Sequence, residues 1–194
     1  MVIGITGRMG SGKTAVAGIF EKNGFTLVDA DGMGHNLLER EDIKKKIRET
    51  FGDSPFKRGK IDRKKLGDIL FKDGENLHVF NSFVHPPLIR ELTNTIEKRR
   101  NTTHLVVDCA LIFEWGIEKL FDYIVLVECS DERIIERMTK AGRTEDEVRR
   151  ILSVQLADGK KLKRAHFIIE NKGDLSELEQ NTMKIISSLP LNDG

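Results

Sequence analysis

The apolar, β-branched run Val2-Ile3-Gly4-Ile5-Thr6 leads directly into Gly7-Arg8-Met9-Gly10-Ser11-Gly12-Lys13-Thr14, and an amphipathic segment of helical period follows from Thr14 to Asn23. A strand, a glycine-rich turn and a helix in that order leave few folds open to the chain. The turn fits G-x-x-x-x-G-K-[ST] in the context the motif requires. Glycines let backbone N–H groups wrap a phosphate, and the start of the helix adds the positive end of its dipole. In this reading residues 8–15 (Arg8, Met9, Gly10, Ser11, Gly12, Lys13, Thr14 and Ala15) surround a nucleotide. Lys13 faces its β/γ-phosphates, Thr14 offers a hydroxyl to Mg²⁺, and the Ala15 amide points to the α-phosphate.

Four more short apolar runs recur, at Thr26–Val28, Leu105–Val107, Tyr123–Val127 and Phe167–Ile169. They lack polar alternation, which predicts strands buried on both faces. Helix-length segments lie between them, including Asp131–Ala141 and Leu175–Ser188. The alternation predicts an α/β fold around a five-stranded parallel sheet. About 75 residues separate the second run from the third, so something is inserted there. Its patterns are helical at Asp42–Phe51, Arg63–Phe71 and Glu75–Arg100, the last interrupted at His85-Pro86-Pro87, where a proline pair breaks or kinks a helix. A basic turn, Lys57-Arg58-Gly59-Lys60, joins the first two. The charge-dense stretch Arg133–Arg164 reads as solvated helices, and 190–194 as a frayed end.

With 194 residues and 39% hydrophobic side chains the chain can bury one core without a disulfide or metal staple. Its 32 Lys+Arg oppose 31 Asp+Glu, so no global field draws it to nucleic acid and any polyanion site is local. Cys109 and Cys129 lie in separate apolar runs and read as small core residues. No window approaches the length of a membrane helix. A cytoplasmic protein with no membrane, nucleic acid or obligatory protein partner is expected.

Asp29-Ala30-Asp31 follows the second strand, where either carboxylate could cap a helix or serve as a catalytic base. Asp108 ends the third strand, a place from which an acid reaches a metal beside a phosphate loop. A rival pattern exists: Asn171-Lys172-Gly173-Asp174 fits the guanine-reading N-K-x-D, and Asp29–Gly32 fits D-x-x-G. Only 15 residues lie between Lys13 and Asp29, already taken by the first helix and second strand, so a GTP switch has no room for its threonine segment.

Taken together, these residues resemble the dephospho-CoA kinase family over essentially the whole chain. The family's I-G-x-T-G-x-x-G-S-G-K-[ST] and D-A-D are similar to Ile3–Thr14 and Asp29–Asp31. Its G-x-[IL]-D-R-x-x-L is similar to Gly59–Leu66, its H-P-x-[IV]-R to His85–Arg90 with one extra residue, its D-x-P-L-L-F-E to Asp108–Glu114, and its A-D-x-V-I-x-N-x-G to Ala165–Gly173. Ala110 stands where the family has proline and His166 where it has aspartate. His35 and Lys140 each stand where it commonly has arginine, whose bidentate grip on anions a lysine cannot reproduce.

The resemblance implies a P-loop NTPase-type three-layer fold made of a single kinase domain, 1–194, with a helical acceptor-binding insertion over 32–103 and a helical lid over 131–165. It implies transfer of the ATP γ-phosphoryl group, with Mg²⁺, to the ribose 3′-hydroxyl of dephospho-CoA; a related nucleoside monophosphate or small-molecule kinase and a regulatory nucleotide-binding module are the alternatives. Asp31 would be the base, Lys13 and Lys140 would act on the transferred group, and Arg137, Arg143 and Asn171 would contact the nucleotide. His35, His85 and Arg90 would join Asp31 in holding the acceptor, and Thr14 and Asp108 would hold the metal.

Overall fold

Alternating runs of buried β-branched residues and amphipathic segments fold as β1 (Val2–Thr6), α1 (Lys13–Lys22), β2 (Thr26–Asp29), α2 (Ala30–Leu37), α3 (Glu41–Phe51), β3 (Phe56–Lys57), β4 (Lys60–Ile61), α4 (Arg63–Leu70) and α5 (Gly74–Arg99). The chain continues through β5 (Leu105–Asp108), α6 (Ile112–Trp115), a 3₁₀ turn (Glu118–Leu120), β6 (Tyr123–Glu128), α7 (Asp131–Lys140), α8 (Glu145–Val154), α9 (Asp158–Leu162), β7 (Phe167–Glu170) and α10 (Leu175–Ser188). The computed structural model describes residues 1–156 and 158–191, so residue 157 of the expected lid and the last three residues of the expected frayed end lie outside the described residues. Two units form, Met1–Asp29 with the chain from Thr95 onward, and Ala30–Asn94.

The first unit holds a five-stranded sheet in the order β2-β5-β1-β6-β7, every pair parallel. Such pairs need crossover connections, which the helices supply. Val2–Thr6, Leu105–Asp108 and the centre of β6 are buried throughout, as continuous apolar runs require. The outer strand departs from the expectation of two buried faces: Ile168 in β7 is 47% exposed. β7 pairs on one side only, and α10 adds Leu178, Ile185 and Ile186 to the same core cluster as Ile169. That cluster contains Ile3, Ile5, Val16, Phe20 and Val125, with Phe20 edge-on to Phe25 at 5.1 Å. A smaller cluster joins Cys129, Ile134, Val148 and Leu152 of α7 and α8, and both free cysteines are buried.

The second unit is mostly helical, with one short antiparallel hairpin of β3 and β4. Its turn is Arg58-Gly59, both with positive φ, 52° and 78°, the geometry that matches the twist of a two-residue hairpin. Leu37, Ile43, Ile47, Leu66, Leu70, Val84 and Leu88 are buried. The expected break at Pro86-Pro87 does not occur, since α5 runs continuously through both prolines. Each proline lacks the N–H that would bond the preceding turn, a local cost set against the burial of Val84, Leu88 and Leu92 on either side. Among the described residues no helix is long and apolar enough to cross a membrane.

Candidate active site

The glycine-rich loop leaves the carboxyl end of β1, the middle strand, and closes on the first turn of α1. Gly12 takes φ 107°, a left-handed backbone that side chains resist. A Cβ there would also strike the Asn171 amide. Lys13 is buried and turns back over the loop, donating from Nζ to the Arg8 carbonyl at 3.4 Å. Thr14 and Ala15 remain exposed at the mouth.

Three elements hold the loop from outside. From the end of β7, Asn171 Nδ2 donates to the Ser11 carbonyl at 2.7 Å. From α7, Arg137 donates to Asn171 Oδ1 at 2.9 Å and to the Gly10 and Ser11 carbonyls at 3.4 Å each. Arg8 pairs with Asp131 at 2.7 Å and donates to the Cys129 carbonyl at 3.1 Å. These contacts engage the Gly10 and Ser11 carbonyls from outside, while within the loop the Ser11 amide donates to the Arg8 carbonyl and the Ala15 amide to the Gly12 carbonyl, both at 3.1 Å. Beside it opens a cleft of about 450 Å³ whose walls include Arg8, Cys129, Ser130, Arg133, Asn171 and Lys172. Here the Glu170 carboxylate accepts from Lys172 and raises that lysine's pKa.

At the loop's end the Thr14 hydroxyl donates to Asp108 Oδ2 at 2.8 Å. A hydroxyl and a buried carboxylate are hard oxygen donors that suit Mg²⁺, an ion that completes its octahedron with water and phosphate oxygens. Among the described residues no group of three or more His, Cys, Asp or Glu could enclose a metal alone. The donor set therefore fits a cation shared with a bound phosphate chain.

The expected lid cations separate. Arg137 reaches the loop, whereas Lys140 is exposed and gives its charge to Glu136 at 2.6 Å, an i,i+4 pair that lowers the Glu136 pKa. Arg143 is exposed beyond α7. The two lie three residues apart on one helix and differ in their partners, the loop and Asn171 for Arg137 and Glu136 for Lys140.

In the second unit Asp31 sits exposed in the first turn of α2, two residues past Asp29 at the end of β2. The change from strand to helix between them means that the two carboxylates do not share a strand face. His35 is exposed in the last turn of the same helix. His85 and Arg90 lie on α5, His85 half-buried with its pKa lowered by desolvation and Arg90 exposed.

Some contacts had no counterpart in the sequence reading. Gln155 Oε1 accepts the Met9 amide at 3.0 Å, and Lys161, wholly buried, pairs with Glu114 at 2.9 Å. Glu114 closes the Asp108–Glu114 motif and could have been singled out on that ground. Gln155 carries no such signal. The family departures also find partners: the Ala110 carbonyl accepts from Thr6 and Lys161, and His166 Nδ1 accepts from the Ile124 amide at 3.0 Å.

A family model described as dephospho-CoA kinase matches residues 1–177. The dephospho-CoA kinase of Fusobacterium nucleatum is 36% identical over 183 residues, 92% of this chain and 93% of the relative. That of Bacillus licheniformis is 34% identical over 194 residues, 97% and 96% of the two chains. Among solved structures, a Thermus thermophilus protein superposes with a TM-score of 0.77 at 29% identity, covering 97% of each chain. A dephospho-CoA kinase from Campylobacter jejuni, 24% identical over 96% of this chain and 95% of its own, reaches 0.69 and shares the fold.

Proposed function

This chain belongs to the dephospho-CoA kinase family, and from that premise we propose how its residues carry out the reaction. It phosphorylates dephospho-CoA to coenzyme A at the expense of ATP. The observation that carries the reading of the site is the Thr14–Asp108 hydrogen bond at the mouth of a loop whose Gly10 and Ser11 carbonyls are held from outside by Arg137 and Asn171.

Amides from Gly10 to Ala15 hold the ATP phosphates, with Arg8 and Met9 at the loop's entry and the nucleoside in the adjoining cleft. Lys13 is free to exchange its long contact with the Arg8 carbonyl for a phosphate oxygen, following the charge that leaves with the γ-phosphoryl group. Asn171 and Arg137 keep the loop in its receptive shape. Thr14 and Asp108 hold Mg²⁺, which neutralises phosphate charge when bound.

Asp31 accepts the proton of the ribose 3′-hydroxyl as its oxygen attacks phosphorus. It begins a helix in the unit that also carries His35, His85 and Arg90, the residues we assign to the acceptor's phosphates and ribose. We assign the acceptor-binding insertion to residues 32–103, most of which fall within the unit Ala30–Asn94. Residues 131–165 act as a lid, with Lys140 and Arg143 moving from their solvated positions when it closes to exclude water.

A coupled ADP-release assay across dephospho-CoA, AMP, CMP and no acceptor tests the reading. Turnover is expected with dephospho-CoA alone. Comparable turnover with AMP or CMP would instead favour a nucleoside monophosphate kinase.

A further inference from the structure

Lys161 is the one lysine among the largest wholly buried side chains, and the reaction scheme gives it no task. Its ammonium meets Glu114 Oε1 at 2.9 Å and the Ala110 carbonyl at 3.3 Å. The same Glu114 oxygen accepts the Leu156 amide at 3.2 Å. A buried charge is held this firmly only where its partners satisfy it, so the chain after α8 is fastened to α6 through Glu114, and Lys161 also to the Ala110 turn before it. Fastening Leu156 fixes its neighbour Gln155, whose Oε1 accepts the Met9 amide at 3.0 Å.

The consequence lies on the other side of that peptide. In a trans peptide the N–H and C=O point in opposite directions, and the chain has no cis bonds among its described residues. With the Met9 N–H turned toward Gln155, the Arg8 carbonyl faces the opposite way, where it accepts from the Ser11 amide at 3.1 Å and from Lys13 Nζ at 3.4 Å. We propose that Gln155 is a positioning residue: by fixing the Arg8–Met9 peptide it sets the carbonyl on which the Lys13 ammonium waits, and the Glu114–Lys161 pair holds Gln155 in place to do so. Nucleotide binding then finds the lysine already over the loop. The proposal rests on the reading of Lys13 as the cation of phosphoryl transfer.

The test is a double-mutant cycle read by calorimetric ATP binding with Mg²⁺, on the full chain. Gln155→Met keeps the length of the side chain and removes the acceptor. In otherwise wild-type protein it should weaken ATP about tenfold, the effect of one hydrogen bond. In Lys13→Ala protein it should weaken ATP by less than about twofold, because the group it positions is gone. A purely structural glutamine would cost the same factor in both backgrounds, and that result would overturn the proposal, as would unchanged affinity in the single variant. Should Lys13→Ala bind ATP as tightly as wild type, the reading of Lys13 fails and this inference with it. Weakened Lys13→Ala binding without coupling to Gln155 overturns the inference alone.

Discussion

Thr14 Oγ1 and Asp108 Oδ2 lie 2.8 Å apart although 94 residues separate them in the chain. Parallel pairing of β1 with β5 brings the two carboxyl ends together, Ile5 opposite Asp108, and the loop then returns Thr14 to that edge. If the pair holds Mg²⁺, Asp108→Asn should raise the Mg²⁺ concentration for half-maximal activity about tenfold, since a neutral amide is a poorer ligand for a hard cation. Titration of activity against free Mg²⁺ at saturating ATP checks this. An unchanged midpoint removes Asp108 from the metal site.

Lys13→Ala should lower kcat on the order of 10³-fold, comparable to the loss of other preorganised charge stabilisers. Thermal unfolding without ligand should change little, because among the described residues the hydrogen bond of its ammonium is a long one to the Arg8 carbonyl, which keeps the Ser11 amide. Steady-state kinetics beside a melting curve separates chemistry from folding.

For Asp31 the expected signature is a split between kinetic constants. General base assistance contributes 10² to 10⁴-fold, so Asp31→Asn should reduce kcat by about that range while the KM for dephospho-CoA moves far less. The companion Asp29→Asn is the control. If it proves the more damaging of the two, the base is Asp29.

Asp174 distinguishes the kinase from the guanine-reading pattern. Its carboxylate caps α10 by accepting the Ser176 amide at 2.8 Å, so Asp174→Ala should cost about 1 kcal/mol of stability. The ratio of ATP to GTP affinity should stay the same. Denaturant unfolding and titration of both nucleotides supply the two measurements, and selective loss of GTP binding would contradict the cap as its principal role.

Burial holds the His85 pKa below its ordinary 6.5. The folded ring therefore stays neutral over a range where the unfolded chain takes up a proton. Its contribution to stability is complete above pH 6.5 and is lost as pH falls through 6.5 towards the folded value. His85→Gln should flatten the decline in unfolding free energy between pH 7.5 and pH 5. An identical pH profile in the variant would mean that other groups govern this range.

Sequence made the sheet legible because each strand is a local pattern: Val2–Thr6 and Leu105–Val107 announce themselves by unbroken β-branched runs. The phosphate loop was legible for a related reason, since its function depends on glycines and a lysine at fixed local offsets. Ile168 belongs to an equally apolar run, yet its exposure depends on β7 having a single neighbour, which no local pattern encodes. The prolines of α5 misled because their cost is local while the packing that absorbs it is not. Arg137 and Lys140 are both cations of one helix, and only the partners each meets in the fold, the loop for one and Glu136 for the other, tell them apart. Gln155 meets Met9 across 146 residues of sequence, a pairing that composition and periodicity do not carry.

β1 lies at the centre of the sheet, paired with β5 on one side and β6 on the other. Its amides can exchange with solvent only when the whole sheet opens, so they belong with the slowest in the molecule. The loop that follows inherits a root that cannot fray by itself. Loss of nucleotide binding on heating is then a readout of global unfolding, and hydrogen exchange at Ile3 and Ile5 should report the same free energy as the disappearance of that binding.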